Sequence, residues 1–303
     1  MEKKRINLSQ SFIKSYTKVY NKEECGAKLQ AIYLDKIIEP APSQAALNGQ
    51  YFEYLVVKEL TGEHLRNRKG EIPEPPKTAT GNISKADNEK IETQVKNIIN
   101  LFTEYDIEVL SFNETLEYNF SENESFEFWR KGILDLRVMI NNYYTIDIFG
   151  EKQKRKPFEA IIDIKYSANL DEKSKRNEYS FYLDPKFNQY EEKNWINSLE
   201  NKPDLTIQAV EYKHLAKKVL KKDLPFFFCV ASSTGSEQIE LIEVNISQST
   251  KDRHENNIYE ISKMLNIYDC KLAANPKVDF CKKCVHFKCE ERIKFSQFKS
   301  IEI

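Results

Sequence analysis

The sequence predicts an α/β fold, in which helices cover both faces of a central β-sheet. Apolar residues recur at helical intervals through about the first hundred positions, and after Tyr105 the pattern changes to the alternation of strands. Helical and strand-like segments then alternate again towards the carboxyl terminus. This order of elements is typical of a layered helix and sheet architecture.

Two helices are predicted to precede any strand. The first lies within LSQSFIKSYTKVYNKEECGAKLQAIYLDK, and the second within ALNGQYFEYLVVKELTG, which ends at Gly62 and has an apolar face made by Phe52, Leu55, Val56 and Leu60. The polar stretch from Arg66 to Asp87, which contains PEPP, is predicted to be an exposed loop or insertion. A third helix is predicted from Asn88 to Tyr105, with one stripe formed by Ile91, Val95, Ile98 and Phe102.

The predicted strands follow this third helix. Four of them are TLEYNF, GILDLRVMI, YYTIDIF and EAIIDIKYS, and two later ones are FFFCVAS and QIELIEVN. Between the two groups lie a polar, aromatic-rich stretch from Asn169 to Pro203 and a helix from about Leu205 to Lys222. A last helix is predicted near Lys251 to Leu265, before a cysteine-rich tail.

The composition indicates an ordinary globular protein. The chain has 303 residues, of which 40% are hydrophobic, and this is sufficient for a sizeable core. The formal net charge is -1, so a nucleic-acid surface would have to be local. No apolar signal-like segment begins the chain, and the apolar run PFFFCVA is too short for a membrane span. We therefore expect a cytoplasmic protein without a membrane partner.

An acid and a base stand two residues apart in the strand FEAIIDIKYS. Because strands alternate faces, Asp163 and Lys165 are predicted to share one face, with Ile162 and Ile164 on the other. Alone, the pair would be equally typical of a salt bridge where the sheet meets solvent. However, a second strand carries Asp135, and two strand carboxylates with a lysine can hold one or two Mg²⁺ ions for phosphodiester cleavage.

The motifs around these residues resemble the RecB-like branch of the PD-(D/E)XK nuclease superfamily. They are G-x2-D from Gly132 to Asp135, D-x-K from Asp163 to Lys165, and Q-x3-Y from Gln208 to Tyr212. The resemblance implies a restriction-endonuclease-like mixed sheet flanked by helices. Alone, Q-x3-Y is more typical of an ordinary amphipathic helix, and its position after D-x-K is what favours the motif. Residues four apart share a helix face, so both can point to one site.

The first motif of the family departs from its usual form. The stretch NGQYFEYL resembles G-x3-H, but Glu53 occupies the position of the histidine. The resemblance still implies a metal-binding role for Glu53 with a different metal preference. The alternative is that Glu53 is a solvated helix residue.

The chain contains six cysteines, and three of them form C-x2-C-x4-C at Cys281, Cys284 and Cys289. Thiolates at this spacing indicate a metal site that needs a fourth ligand. From the residues alone, the fourth ligand is Cys270, His286 or the distant Cys25. Cys229 lies in a predicted buried strand and is interpreted as a small core residue.

The family resemblance implies the distant choice. Iron-sulfur members, including AddB-type and CRISPR-adaptation nucleases, hold a [4Fe-4S] cluster with one cysteine before the nuclease motifs and three after them. This set corresponds to Cys25, Cys281, Cys284 and Cys289, which would join the two ends of the chain. Zinc remains the alternative, because it also accepts four thiolates.

The predicted function is that of a Mg²⁺- or Mn²⁺-dependent deoxyribonuclease. We expect metal ligation by Glu53, Asp135, Asp163 and the carbonyl of Ile164, water activation by Lys165, and positioning by Gln208 and Tyr212. Phosphate contacts are predicted for a lysine stripe on the helix from about Leu205 to Lys222, which contains Lys213, Lys217, Lys218, Lys221 and Lys222. Base stacking is predicted for four aromatic residues, Tyr166, Tyr179, Phe181 and Tyr182. Ordinary solvation and packing are the alternatives for these two sets.

The whole chain is predicted to be one nuclease domain. Its parts are a helical 1–45 segment with Cys25, a core over 46–265 with a polar insertion at about 66–87, and a cysteine-rich 266–303 segment. DNA, single-stranded or end-bearing, is the expected substrate of an exonuclease, and helicase, recombination or phage replication proteins are the expected partners. A catalytically inactive binding module is the alternative, and a zinc-stabilised transcription regulator leaves Asp135 and Asp163 unexplained.

Overall fold

A computed structural model describes residues 3–67, 70–78, 80–146, 151–167, 203–233, 239–274 and the three cysteines 281, 284 and 289. The chain divides into two compact units. The first contains residues 1–41, 117–131 and 247–303, and the second contains residues 42–116 and 132–246. The predicted segment boundaries of a single nuclease domain stay a prediction.

The first unit opens with a strand. It contains β1 (Lys4–Ser9), α1 (Gln10–Tyr20), the short α2 (Gly26–Leu29) with a π-helical turn over Gln30–Leu34, and α6 (Gln248–Ile267). Parts of β2 (Ile107–Glu122) and β3 (Phe126–Ile140) also belong to it. β1 pairs in parallel with β3, from Lys4 opposite Phe126 to Ser9 opposite Lys131.

The prediction that two helices precede any strand was therefore wrong. The strand β1 has only Ile6 and Leu8 as buried apolar residues, and this is too short a pattern to show a period of two. Ser9 ends the strand and caps the next helix, because its side-chain oxygen accepts a hydrogen bond of 3.3 Å from the amide of Phe12. The helix α1 then buries Phe12, Ile13 and Tyr16.

The second unit holds the remaining elements. Its helices are α3 (Gln44–Thr61), α4 (Lys85–Glu104) and α5 (Pro203–Leu215), the last followed by a π-helical turn over Ala216–Leu220. Its strands are the rest of β2 and β3, β4 (Tyr144–Ile146), β5 (Lys152–Lys154), β6 (Phe158–Ser167), β7 (Phe226–Ser232) and β8 (Ile239–Glu243). The helix α3 is capped by Ser43 and ends at Gly62, whose φ of 75° is the left-handed conformation that glycine favours.

The sheet of the second unit is mixed. β6 lies between β3, with which it is antiparallel, and β7, with which it is parallel; β8 runs antiparallel to β7. Parallel and antiparallel neighbours on the two sides of β6 fix its register, because a shift of one residue would exchange its faces.

Helices pack on both faces of this sheet, as predicted. On one face, α3 and α4 bury their apolar stripes against β3, β6 and β7, in a core that includes Phe52, Val56, Ile98, Ile162, Ile164 and Phe227. On the other face, α5 contacts β7. The α/β class with a mixed central sheet is confirmed.

Most predicted elements of the second unit are present at their expected positions. The third helix is α4, and the strands GILDLRVMI, EAIIDIKYS and FFFCVAS lie within β3, β6 and β7. YYTIDIF was predicted as one strand, but β4 covers only Tyr144–Ile146 among the residues that the structure describes there. Within the described residues, no helix is long and apolar enough to cross a membrane.

Candidate active site

Strand β6 presents Asp163 and Lys165 on the face opposite the α3/α4 core. Ile162 and Ile164 belong to that core, so alternation directs the two charged residues to the other side. The side chain of Asp163 is fully buried, whereas that of Lys165 is 23% exposed. The predicted shared face is therefore present in the structure.

The carboxylate of Asp163 is held on both oxygens. Its Oδ2 forms an ion pair with Nζ of Lys165, and its Oδ1 accepts a hydrogen bond from Nε2 of Gln208. A buried carboxylate is costly unless it is paired and hydrogen-bonded, and these two contacts meet that requirement. They also fix the orientation of the carboxyl plane.

Asp135 lies where the pairing of β3 and β6 ends. The paired residues run from Ile140 opposite Phe158 to Leu136 opposite Ile162. Beyond this point the amide of Ile164 donates a hydrogen bond of 2.9 Å to Oδ2 of Asp135. A side-chain carboxylate thus accepts a backbone donor at the place where the strands separate, and this leaves Asp135 beside the Asp163 and Lys165 pair.

The helix α3 brings a third carboxylate to this place. Burial raises the pKa of Glu53 to about 7, the positive charge of Lys165 acts in the opposite direction, and the negative charge of Asp163 raises it further. Glu53 therefore lies within electrostatic range of both β6 residues. The role of Glu53 as a metal ligand stays a prediction.

The helix α5 supplies Gln208 and Tyr212. It begins at Pro203, a residue that suits the first helical position because it lacks an amide hydrogen. Gln208 and Tyr212 are 5% and 4% exposed, so this face of the helix is buried. A hydrogen bond from Gln208 lowers the pKa of the Tyr212 hydroxyl, but burial and the charges of Asp163 and Asp135 outweigh it and leave the pKa raised.

Gly132 allows this helix to approach β3. A Cβ atom at Gly132 would lie 2.7 Å from Cδ1 of Leu215 and 2.9 Å from the ring of Tyr212, closer than packed atoms are found. The first residue of the G-x2-D pattern is thus explained by packing between β3 and α5. Tyr212 is placed against the strand that carries Asp135.

The charges of the site are poorly balanced by the protein alone. Burial raises the pKa of Asp135 well above its ordinary value, and the charges of Asp163 and Glu53 raise it further. Burial lowers the pKa of Lys165, but Asp163 and Asp135 outweigh it and leave the pKa raised, so the ammonium stays charged. One lysine faces three carboxylates, which is the charge pattern of a site for a cation.

The carboxylates are not gathered into a ready metal-binding group. Among the residues that the structure describes, no three side chains of His, Cys, Asp and Glu are arranged to hold an ion. Asp163 is engaged by Gln208 and Lys165, and Asp135 by the amide of Ile164. A cation would have to compete with Lys165 for Asp163.

Comparison with known proteins identifies the fold. No protein-family profile matches the chain, and no curated protein matches it. A crystal structure titled "Putative exonuclease", from Eubacterium rectale, is 17% identical, with a TM-score of 0.52, over 97% of this chain and 94% of its own. The chain is therefore similar in fold to that protein over nearly its full length.

A second solved structure is more distant. The protein SSO0001 aligns with 70% of this chain and 73% of its own, at 12% identity and a TM-score of 0.29. This similarity is too low to support a conclusion about fold or function.

The four cysteines predicted to hold a cluster all belong to the first unit. Cys281 is buried, and Cys25, Cys284 and Cys289 are partly exposed. The π-helical turn after α2 contacts the segment after α6. In this contact the amide of Leu272 donates a 2.8 Å hydrogen bond to Oε1 of Gln30. A Cβ at Gly26 would lie 2.3 Å from the carbonyl oxygen of Ala273. No cysteine cluster is shown among the described residues, and the rival ligand His286 lies outside them.

The predicted lysine stripe is partly engaged within the protein. Nζ of Lys213 donates a 2.8 Å hydrogen bond to the carbonyl of Leu224, and Lys222 forms an ion pair with Glu159. Lys217 and Lys218 are exposed in the π-helical turn. The aromatic residues Tyr179, Phe181 and Tyr182 lie outside the described residues, whereas Tyr166 packs against Phe52 with 4.8 Å between ring centroids.

Two fully buried residues of the second unit were not predicted from the sequence. Glu211 is fully buried on α5, and it stands inside the motif QAVEY that was used for Gln208 and Tyr212. Phe228 of β7 is fully buried, and its ring centroid lies 5.8 Å from Nζ of Lys165. The position of Phe228 follows from the register of β6 with β7, which no sequence pattern reveals.

Proposed function

We propose that this protein is a metal-dependent DNA nuclease of the RecB-like branch of the PD-(D/E)XK superfamily, with a restriction-endonuclease-like core. It acts as an exonuclease on DNA ends or single strands. The observation that carries the proposal is the buried ion pair of Asp163 and Lys165 beside two further carboxylates, Asp135 and Glu53. The similarity in fold to a protein titled "Putative exonuclease" agrees with it.

The donor set fits a hard divalent cation. Glu53, Asp135 and Asp163 offer carboxylate oxygens, which Mg²⁺ and Mn²⁺ prefer, and the Ile164 carbonyl is a further oxygen ligand of the proposal. Burial raises the pKa of Glu53 and of Asp135, and the negative charge of Asp163 raises both further, so a cation at this place would favour the ionised carboxylates. A bound cation would supply Lewis acidity to the scissile phosphate and a more acidic water.

The residues of the chain have distinct tasks in this mechanism. The ammonium of Lys165 stabilises negative charge that develops on the phosphate and orients the attacking water. Gln208 fixes the carboxyl plane of Asp163, and the Ile164 amide fixes that of Asp135. Tyr212 holds Gln208 through their side-chain contact and closes the site against β3.

The first unit is proposed to hold a [4Fe-4S] cluster on Cys25, Cys281, Cys284 and Cys289, with zinc as the alternative. Four thiolates suit either metal centre. The contact of residues 26–30 with residues 272–273 agrees with a link between the two ends of the chain. Such a cluster would stabilise the fold and take no part in hydrolysis.

The test is the degradation of end-labelled single-stranded and double-stranded DNA in Mg²⁺, Mn²⁺ and EDTA. Lys165→Ala and Asp163→Ala are compared with the intact protein, and Lys77→Ala is the matched control because Lys77 forms an exposed ion pair with Glu74. We expect metal-dependent cleavage that falls by about 10²–10⁴-fold or more in both site variants and is unchanged in the control. The product ladder gives the polarity of digestion.

The same experiment separates the nuclease from a binding module. An intact protein that binds DNA in the presence of Mg²⁺ and Mn²⁺ but cleaves none would overturn the nuclease proposal. Cleavage that persists in Lys165→Ala would overturn the proposed mechanism and leave the substrate class intact.

A further inference from the structure

We infer that Phe228 is a positioning residue for Lys165: its ring holds the ammonium in place when the partner carboxylate of Lys165 is drawn towards another charge. This inference rests on the proposed nuclease function and adds a residue that belongs to none of the motifs described above. It is argued from the register of β6 and β7, the contacts of the ring and the chemistry of the ammonium group.

The register places Phe228 on the face of the charged residues. In the parallel pair β6 and β7, Asp163 lies opposite Phe228 and Lys165 lies opposite Val230. Residues paired in register point to the same side of a sheet, so the Phe228 ring lies beside the Asp163 carboxylate. Its centroid is 5.8 Å from Nζ of Lys165, which is within the range of a cation-π interaction.

The ring of Phe228 is held from behind by other aromatic residues. It meets the ring of Phe226 edge to face, with 4.8 Å between centroids. The Phe226 ring in turn lies 6.1 Å from that of Tyr212, which packs against Gly132. All three aromatic side chains are almost completely buried, and close packing of this kind restricts rotation of the Phe228 ring away from Lys165.

Lys165 thus has attractive neighbours of two kinds, the carboxylates of the site and the ring of Phe228. The carboxylate of Asp163 attracts the ammonium by its full charge, and a divalent cation at Asp163 would weaken this attraction. The quadrupole of the Phe228 ring attracts the ammonium independently of Asp163.

A purely structural role makes a different prediction. If Phe228 only fills space, then a side chain of the same shape would serve equally well, whatever its electronic character. Stepwise fluorination of the ring separates the two roles, because it weakens the negative potential of the ring face with little change in volume.

The experiment replaces Phe228 in the full chain with mono-, di- and trifluorinated phenylalanine and measures cleavage of end-labelled DNA with Mg²⁺. We expect kcat to fall stepwise by a total of about threefold to thirtyfold, with KM for DNA and the thermal midpoint nearly unchanged. Phe227 is the matched control, because it is equally buried on the same strand but belongs to the α3/α4 core. The same series at Phe227 should leave kcat unchanged.

A second measurement needs no metal and no activity. In the metal-free protein, the ring current of Phe228 should shift the NMR resonances of the Lys165 side chain. Phe228→Leu should return them towards those of a solvated lysine, and Phe227→Leu should not.

The outcomes are distinct. Two results for an active protein would overturn the inference and leave the nuclease proposal intact. One is a kcat that stays the same throughout the Phe228 series, and the other is a set of Lys165 resonances that does not change in Phe228→Leu. A wild-type protein that cleaves no DNA overturns the proposed function, and the inference about Phe228 falls with it.

Discussion

Gln208 donates a hydrogen bond to the buried carboxylate of Asp163, and so a helix residue fixes the orientation of a strand residue 45 positions earlier. The other oxygen of Asp163 is paired with Lys165. The contact between α5 and β6 therefore orients the acid, to which the base is paired.

Gln208→Ala should reduce cleavage by about tenfold to a hundredfold and the free energy of unfolding by about 1–3 kcal/mol, because a buried carboxylate loses its donor. Gln94→Ala is the matched control: Gln94 is also a buried glutamine on a helix, and its amide donates a 3.0 Å hydrogen bond to the carbonyl of Ser232. We expect the control to lower stability by a similar amount while kcat is retained. Chemical denaturation and steady-state cleavage measure the two effects, and equal loss of kcat in both variants would contradict a specific role for Gln208.

Gly132→Ala should displace α5, since the new methyl group would meet Leu215 and Tyr212 at 2.7 and 2.9 Å. Overpacking of this kind costs about 1–3 kcal/mol of stability. Because the same helix carries Gln208, cleavage should fall as well. Gly49→Ala is a suitable control, as nothing lies within 4 Å of a Cβ at Gly49. A Gly132→Ala protein with wild-type stability and activity would show that α5 does not depend on this close approach.

The metal-free protein should lose stability as the pH rises from near 4.5 to about 7. Burial raises the pKa of Glu53 to about 7 and that of Asp135 in the same direction, so the folded state binds more protons than the unfolded state in this window. The protonated carboxyl groups stabilise the folded state at a pH below the pKa that they have in the unfolded chain. This stability is lost as the pH rises through the higher pKa that they have in the folded protein. Lys165 contributes nothing here, because its raised pKa keeps it protonated throughout.

Thermal unfolding in EDTA across this pH range measures the effect. Glu53→Gln should flatten the dependence, and addition of Mg²⁺ near pH 6 should release protons that calorimetry in buffers of different ionisation enthalpy can count. A stability that is independent of pH over this range would contradict the proposed burial of these carboxylates.

Substitution of any of the four proposed cluster cysteines by alanine should remove iron from the anaerobically purified protein. Cys229→Ala is the control, because Cys229 is a buried residue of β7 in the second unit. Cys270 lies outside the proposed set of ligands, so Cys270→Ala should retain iron. Metal analysis and the visible absorption spectrum measure the iron content of each variant. A colourless wild-type protein with stoichiometric zinc would establish a zinc site as the alternative to the iron-sulfur cluster.

The sequence predicted the local placement of the candidate residues better than their distant contacts. It predicted that Asp163 and Lys165 share a strand face and that Gln208 and Tyr212 share a helix face, because alternation along a strand and the four-residue spacing of a helix are local properties. The helix α3 was predicted from its long apolar stripe, and its end was predicted from the glycine at position 62. Both signals are also local.

The features that were missed depend on partners distant in the chain. Phe228 reaches Lys165 only because β7 pairs with β6 in one register, across about sixty residues of sequence. The strand β1 is stabilised by its pairing with β3. Its own sequence has only two buried residues, which are too few to predict a strand. The contact of the Ile164 amide with Asp135 likewise requires that the two strands separate at one residue pair.

The fixed register of β6 has a consequence for how related sequences can diverge in length. β6 is paired on both sides, so the gain or loss of one residue between Phe158 and Asp163 would exchange the two faces of the strand after that point. Asp163 and Lys165 would then point into the α3/α4 core, and Ile162 or Ile164 would point to the site. Insertions and deletions should therefore be absent from β6 in functional homologues. They should instead accumulate in segments such as residues 63–84, where the described residues form no helix and only an isolated bridge. Added length there leaves the face of Asp163 and Lys165 unchanged.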